Sequence, residues 1–227
     1  MAESCLLYYI TDRTQFPGDE RTRRRALLGK ISEAARAGVD YIQLREKDLS
    51  ASELEKLATD AMRIIHEARA GNGEQHSTTR LLINSRTDVA LAAGADGVHL
   101  RSDDVSASTA RSIWADVMAS SSQLVSHNAV IAVSCHTTSD VLRAESEGAE
   151  FVVFAPIFEK KDAPSVLPRG PSSLRAACAA KVPVLALGGV TLENTASCLA
   201  AGAAGIAGIR LFQENKIEDV VRVLRAR

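Results

Sequence analysis

The chain contains eight short apolar runs, separated by segments in which apolar and polar residues follow a helical spacing. Four of these runs belong to a repeated pattern: an Ala-rich helical stretch, a glycine, two further residues and then an apolar strand. A glycine in this place is typical of the left-handed residue that ends a helix, and a continuous apolar strand is typical of a parallel sheet buried on both faces. The repeated glycines are Gly38, Gly94, Gly148 and Gly202, at intervals of 56, 54 and 54 residues.

The four other apolar runs lie between these repeats, so strand and helix alternate along the whole chain. A unit of two strands and two helices that is repeated four times predicts an α/β protein with a closed (β/α)8 TIM barrel, formed as a single domain by residues 1–227. An open, flavodoxin-like sheet is the alternative, which the regular period disfavours. The intervening runs are residues 6–10, 81–83, 130–133 and 182–187.

Composition narrows the function classes. The formal net charge of -1 argues against a nucleic-acid partner held by bulk charge. No run approaches the roughly 20 apolar residues of a membrane helix, and the N-terminus lacks the basic segment of a signal peptide. The 4 cysteines are scattered without a CxxC pair, which disfavours a zinc site or a disulfide framework and indicates a reducing, cytoplasmic location.

Barrel enzymes carry their functional residues at the C-terminal ends of the strands. Gly188 and Gly189 follow the seventh predicted strand, where open backbone amides favour a bound phosphate. An ordinary turn is the alternative, but it would need only one glycine. Arg210, after the eighth strand, is either a second phosphate contact or a surface arginine.

Two charged groups follow other strands. Arg45 and Lys47 are two residues apart at the end of the second strand, so both can face the barrel mouth and bind an anion; the alternative is a solvated run of charges. His136 follows the fifth strand and is a candidate acid/base catalyst, unless backbone groups simply satisfy its ring. His99 lies within the fourth strand and is expected in the core or behind the site.

Seven short motifs occur in order along the chain. They are YITD at residues 9–12, QLREK at 43–47, LIN at 82–84, GVHL at 97–100, VSCHT at 133–137, PIF at 156–158 and LGGV at 187–190. Together they resemble the thiamine phosphate synthase family, which includes the similar TenI-type thiazole tautomerases. The resemblance covers nearly the whole chain and implies a (β/α)8 barrel that binds a thiazole phosphate.

The synthases join a pyrimidine diphosphate to thiazole phosphate, with loss of diphosphate assisted by Mg²⁺. By resemblance, Asp104 is a Mg²⁺ ligand, needed only if the chain is a synthase. Ser134, at the rim, is a further predicted substrate-binding residue. The remaining implied contacts are Gln43 with the pyrimidine, Asn84 in the same pocket, Arg45 and Lys47 with the diphosphate, and Gly188 and Gly189 with the thiazole phosphate.

The chain departs from the synthase pattern at several places. Ser85 stands where the synthases have a Mg²⁺-binding aspartate, Arg101-Ser102 replaces Gly-Gln, and Arg210 replaces a small hydroxyl residue. Residues 159–163 contain no threonine where the synthases have a Thr-x-Thr-Lys diphosphate loop; Lys160 or Lys161 is a possible replacement. A hard cation that loses a carboxylate is bound more weakly.

These departures favour a TenI-type thiazole tautomerase, which moves a proton through His136 and requires no metal. The first alternative is a divergent thiamine phosphate synthase that uses Mg²⁺. The second is a non-catalytic binder of thiazole or thiamine phosphate, which would not need the second anion site at Arg45 and Lys47. All three imply a phosphorylated small molecule as partner, and a homo-oligomer is compatible with each.

Overall fold

Eight parallel strands pair in chain order, and β1 also pairs with β8, so that the sheet closes into a barrel. The computed structural model describes residues 5–70, 77–120, 128–159 and 165–226. The predicted (β/α)8 barrel is confirmed, and the open sheet is wrong. The strands are β1 (Leu6–Ile10), β2 (Tyr41–Leu44), β3 (Arg80–Asn84), β4 (Gly97–Leu100), β5 (Val130–Cys135), β6 (Phe151–Phe154), β7 (Val184–Ala186) and β8 (Gly205–Gly208).

Helices cover the outside of the barrel. Asp19 caps the first of them through the backbone N–H of Thr22, and Ser50 and Glu53 form a reciprocal cap at the second. The helices are α1 (Glu20–Ala37), α2 (Ala51–Arg69), α3 (Thr87–Ala92), α4 (Ala107–Ser120), α5 (Thr138–Ser146), α6 (Gly170–Ala177), α7 (Thr195–Ala200), α8 (Arg210–Gln213) and α9 (Ile217–Arg225).

The four repeated glycines end helices as the sequence predicts. All four have positive φ, between 64° and 99°. In each repeat the residue after the glycine donates its N–H to a carbonyl five residues back, for example Val39 to Ala34 at 3.1 Å. This hydrogen bond is the Schellman arrangement, which reverses the chain directly into the next strand.

Three of the four repeats continue with a carboxylate that ties strands and helices together at the N-terminal end of the barrel. Each carboxylate accepts the backbone N–H of the preceding strand and pairs with an arginine of a covering helix. The pairs are Asp40 with Leu7 (2.7 Å) and Arg225, Asp96 with Leu81 (2.8 Å) and Arg69, and Glu150 with Ile131 (2.6 Å) and Arg111.

The barrel has an inner and an outer apolar layer. Outward-facing strand residues pack against the helices, whereas Tyr8, Leu82, Phe151 and Leu185 fill the barrel interior. The Tyr8 ring meets that of Phe151 edge-on, with centroids 5.2 Å apart. None of the helices in the described part of the chain is long and apolar enough to cross a membrane.

We expect Asp96→Ala to destabilise the fold, because it removes the partner of the Leu81 N–H and of the Arg69 guanidinium at 2.6 Å. The free energy of unfolding, measured in urea, should fall by about 1–3 kcal/mol. Asp60→Ala is the control, since Asp60 is exposed and lies 3.9 Å from Arg63; its effect should stay below about 0.5 kcal/mol. Equal losses in the two variants would contradict the role of Asp96.

Candidate active site

Polar side chains replace apolar ones at the C-terminal end of the barrel interior. The strand register shows which residues face inward. The last inward-facing residues of β2, β3, β4 and β5 are Gln43, Asn84, His99 and Ser134. Gln43 Nε2 donates to Asn84 Oδ1 at 3.3 Å. Gln43 itself is only 1% exposed, so Asn84 is the more accessible member of this amide pair.

His99, on β4, joins side chains of β1 and β5 across the barrel interior. Its Nδ1 is 2.9 Å from the Tyr8 hydroxyl, and its Nε2 is 2.7 Å from Ser134 Oγ. Burial, followed by the positive charge of Arg45, lowers the pKa of His99 to about 3, and Asp104 acts in the opposite direction. The imidazole is therefore neutral. Because Arg45 and Asp104 both affect its pKa, both charges lie near the His99 ring.

The residues that follow β2 alternate in direction. Arg45 is partly exposed and Lys47 exposed, whereas Glu46 between them is buried. Thr11 donates its hydroxyl to Glu46 Oε1 at 2.6 Å, and the backbone N–H of Arg13 donates to Oε2 at 3.0 Å. Burial raises the pKa of Glu46, and the hydrogen bonds from Thr11 and Arg13 offset part of this rise. This anchored carboxylate holds the segment so that its two cations lie on the opposite side.

Arg13 is the residue of this region that sequence reasoning missed. Its side chain is 4% exposed and forms ion pairs with Glu20 (2.9 Å), Glu46 (3.1 Å) and Asp48 (2.6 Å). It thereby connects the end of β1 with α1 and with the loop after β2. The available signal was the alternation around Glu46, which predicts a buried carboxylate and so a cation to pair with it.

Asp104 faces the rim next to Ser85, but both oxygens of its carboxylate already accept hydrogen bonds from Arg101. The Arg101 backbone N–H donates to Asp104 Oδ2 at 2.7 Å, and the guanidinium lies 3.1 Å from Oδ1. Burial raises the pKa of Asp104, but hydrogen bonds from Ser85 and Arg101 outweigh it and hold the pKa below its ordinary value. Ser85 adopts a left-handed backbone conformation with φ of 60°, which is uncommon for a residue with a side chain.

The side chains around Asp104 offer few ligands for Mg²⁺. No group of three or more histidine, cysteine or acidic side chains that could hold a metal occurs among the described residues. A single carboxylate beside the Ser85 hydroxyl fits a Mg²⁺ ion that takes further oxygens from a substrate diphosphate. It does not fit an ion held by protein ligands alone.

His136 lies at the rim directly after β5, and its ring is exposed. Its Nδ1 is 2.8 Å from the carbonyl oxygen of Ala155. Because a carbonyl only accepts hydrogen bonds, Nδ1 donates this bond, and in the neutral ring Nε2 is the nitrogen with the lone pair. The Asp140 carboxylate accepts the backbone N–H of His136 at 3.0 Å and so orients the start of α5.

The loop after β6 connects His136 with the double glycine. Beyond Ala155, the backbone N–H of Phe158 donates to the carbonyl of Gly188 at 2.9 Å. Gly188 and Gly189 have φ of 94° and 65°, and a Cβ at Gly189 would overlap the carbonyl oxygen of Glu159. Both glycines are therefore required, unlike in an ordinary turn with one left-handed residue.

The backbone N–H groups of Gly188, Gly189 and Val190 donate to no backbone carbonyl within the ranges that the structure describes. Open amides at a turn are the usual anion-binding element of a barrel rim. Arg210 is the first residue of α8 and lies 3.7 Å from Glu214. Lys160 and Lys161, the suggested replacements for the diphosphate loop, lie outside the described residues.

A closed barrel with a polar rim, two cations after β2 and a double glycine after β7 defines a class of barrel proteins suited to phosphorylated ligands. The sequence profile of the family described as thiamine monophosphate synthase matches residues 7–212. The chain therefore belongs to this family, as its motifs suggest, and is an enzyme. The second alternative, a non-catalytic binder, is not supported.

Individual relatives agree with this assignment. A Geobacter sulfurreducens protein named "Putative thiamine-phosphate synthase" is 39% identical over 203 residues, which cover 88% of this chain and 83% of that protein. A "Thiamine-phosphate synthase" of Chlorobium luteolum is 35% identical over 226 residues, covering 98% and 92%. The solved thiamine phosphate pyrophosphorylase of Pyrococcus furiosus has a TM-score of 0.74 and 26% identity, covering 99% and 95%.

These names support the synthase alternative better than the tautomerase that the sequence favoured. The sequence argument gave most weight to the carboxylate lost at Ser85 and to the altered loop at residues 159–163. Yet the relatives that are named as synthases match nearly the full length of the chain.

Proposed function

We propose that the chain is a thiamine phosphate synthase, a transferase that joins a pyrimidine diphosphate to a thiazole phosphate. The observation that supports this proposal is two separate groups of anion-binding character at one rim. Arg45 and Lys47 follow β2, Gly188 and Gly189, whose amides have no backbone acceptor, follow β7, and these two strands are not neighbours in the barrel. A reaction between two phosphorylated substrates requires two such sites.

The proposed reaction breaks the bond between the pyrimidine methylene carbon and the diphosphate oxygen, which leaves with the electron pair. The thiazole nitrogen lone pair then forms the new bond to that carbon. Arg45 and Lys47 bind the diphosphate and stabilise its growing charge. Gly188 and Gly189 hold the thiazole phosphate, so that its nitrogen is oriented towards the pyrimidine.

Asn84 and Gln43 place amide groups where the pyrimidine would lie. The Asn84 side chain is fixed between Gln43 and Ser85, to which its Nδ2 donates at 3.2 Å. Asp104, beside Ser85, would hold Mg²⁺, which neutralises charge on the diphosphate when it is bound. The ion pair with Arg101 competes for the same carboxylate, so a Mg²⁺ ion is expected to arrive with the diphosphate.

The decisive assay combines the protein with hydroxymethylpyrimidine diphosphate, thiazole phosphate and Mg²⁺. We expect thiamine phosphate and inorganic diphosphate in a one-to-one ratio. In Arg45→Met the KM for the pyrimidine diphosphate should rise about tenfold or more, because a charged hydrogen bond is lost. Arg63→Met, at an exposed position of α2, is the control and should leave KM unchanged. Absence of thiamine phosphate in the wild-type reaction would overturn the proposal.

Gly189→Ala tests the phosphate end of the site. The new Cβ would overlap the Glu159 carbonyl and strain a residue at φ 65°, so the amides move and the Kd for thiazole phosphate should rise about tenfold. Gly148→Ala is the matched control, because Gly148 has φ 80° with nothing within 4 Å and lies at the N-terminal end of the barrel. Calorimetric titration would measure both; equal affinities in the two variants would exclude Gly189 from the phosphate site.

The second candidate function is thiazole tautomerisation, and the geometry of His136 favours it. The Ala155 carbonyl fixes Nδ1–H, which leaves Nε2 at the rim as a base that can take and return a proton. Ser85, where synthases have a carboxylate, also suits a reaction without a metal. Both candidates bind a thiazole phosphate, so the reaction measured decides between them.

His136→Gln should lower tautomerisation of the carboxylated thiazole phosphate by about 10²–10⁴-fold, because the acid/base group is lost. The Kd for the phosphate should hardly change. His66→Gln provides the control, since His66 is exposed on α2. Wild-type turnover in the His136 variant would exclude the tautomerase, whereas turnover without any diphosphate substrate would establish it.

A further inference from the structure

The Tyr8, His99 and Ser134 side chains form one hydrogen-bonded chain from the barrel interior to its mouth. Tyr8 is completely buried, and its hydroxyl lies 2.9 Å from His99 Nδ1. His99 is 2% exposed, and its Nε2 lies 2.7 Å from Ser134 Oγ. Ser134 is the partly exposed end of the chain, near the C-terminal end of β5.

The three groups carry three protons but form only two hydrogen bonds with one another, so one proton has no acceptor among Tyr8, His99 and Ser134. Tyr8 and Ser134 each supply a hydroxyl proton, and the neutral imidazole supplies one N–H. The structure gives the Tyr8 hydroxyl no other hydrogen-bond partner among the described residues. The direction of both bonds therefore depends on whether the surplus proton belongs to Tyr8 or to Ser134.

Burial decides this direction. If Nδ1 carried the ring proton, the Tyr8 proton would be left unpaired inside the apolar barrel, which is costly. If Nε2 carries it, Tyr8 donates to Nδ1, Nε2–H donates to Ser134 Oγ, and the surplus proton belongs to Ser134 at the accessible mouth. The second arrangement should be more populated by roughly 5- to 150-fold.

We propose that Tyr8 and His99 are positioning residues that make Ser134 a hydrogen-bond donor towards the substrate. With one lone pair of its oxygen occupied by Nε2–H, the hydroxyl proton of Ser134 points to the ligand side. Ser134 then selects an acceptor on the substrate, such as a ring nitrogen or a phosphate oxygen, over an N–H or O–H group. This specificity rests on the proposed function, whereas the direction of the two hydrogen bonds does not.

The first experiment measures the tautomer of His99 directly. In the ¹⁵N-labelled protein, two-bond ¹H–¹⁵N correlations distinguish a protonated from an unprotonated ring nitrogen, and His99→Gln assigns the signals. We expect Nε2 protonated and Nδ1 unprotonated at pH values between about 5 and 8. Protonation of Nδ1, alone or together with Nε2, would overturn the proposal, whether or not the protein proves to be a synthase.

The second experiment tests action through Ser134 by a double-mutant cycle. Tyr8→Phe removes the donor to Nδ1 and should lower kcat/KM about fivefold or more, but it should cause no further loss in a Ser134→Ala background. A Tyr8 role in packing alone would give the same loss in both backgrounds, and that result would contradict the proposal. Tyr41→Phe, whose ring packs against the same Phe151 with centroids 4.7 Å apart, is the matched control and should keep kcat/KM.

The first experiment remains decisive if Tyr8→Phe or Ser134→Ala does not fold, because the tautomer is measured in the wild-type protein. If the wild type forms no thiamine phosphate, the proposed function fails, and the ¹⁵N result still decides the direction of the two hydrogen bonds. If thiamine phosphate forms and the cycle shows no coupling between Tyr8 and Ser134, the function stands and the positioning role fails.

Discussion

Closure of the eight-stranded ring imposes the constraint on which the rest of the structure depends. Side chains that point inward are enclosed on all sides, so an inward polar atom must find its partner among other inward residues or at the open end. Within the described ranges, every buried side-chain nitrogen or oxygen has a hydrogen-bond partner. Tyr8, Leu82 and Phe151 fill the middle of the barrel, while Gln43, Asn84 and Ser134 gather at its C-terminal end.

A related constraint applies just outside the ring, at Glu46. A carboxylate that is 5% exposed is costly unless it is paired, and Arg13 and Thr11 supply the partners. The same arginine pairs with Asp48 and with Glu20 of α1, so one buried cation connects three segments. Because Glu46 is held on the outer side of the ring, its neighbour Arg45 faces the barrel mouth, and a structural ion pair thus orients a cation of the proposed ligand-binding surface.

The two candidate reactions use the same rim differently. Both need the thiazole phosphate held, and the proposed phosphate site after β7 would serve either reaction. A synthase also needs a diphosphate site and a cation, for which Arg45, Lys47 and Asp104 are present, although Arg101 already pairs with Asp104. A tautomerase needs only a proton carrier, and His136 fits that role. Full-length similarity to named synthases gives the first candidate priority.

The sequence by itself determined the architecture, because each repeat is local: a helix, a glycine such as Gly38 or Gly94 that ends it, and a buried strand. The strand ends then define the rim, and His136 and Gly188 each follow such an end. The tertiary structure alone decided the partners, since Tyr8 and His99 are 91 positions apart and Arg13 and Glu46 are 33 apart. Local periodicity shows which way a side chain points, but a partner so distant in sequence is set only when the barrel closes.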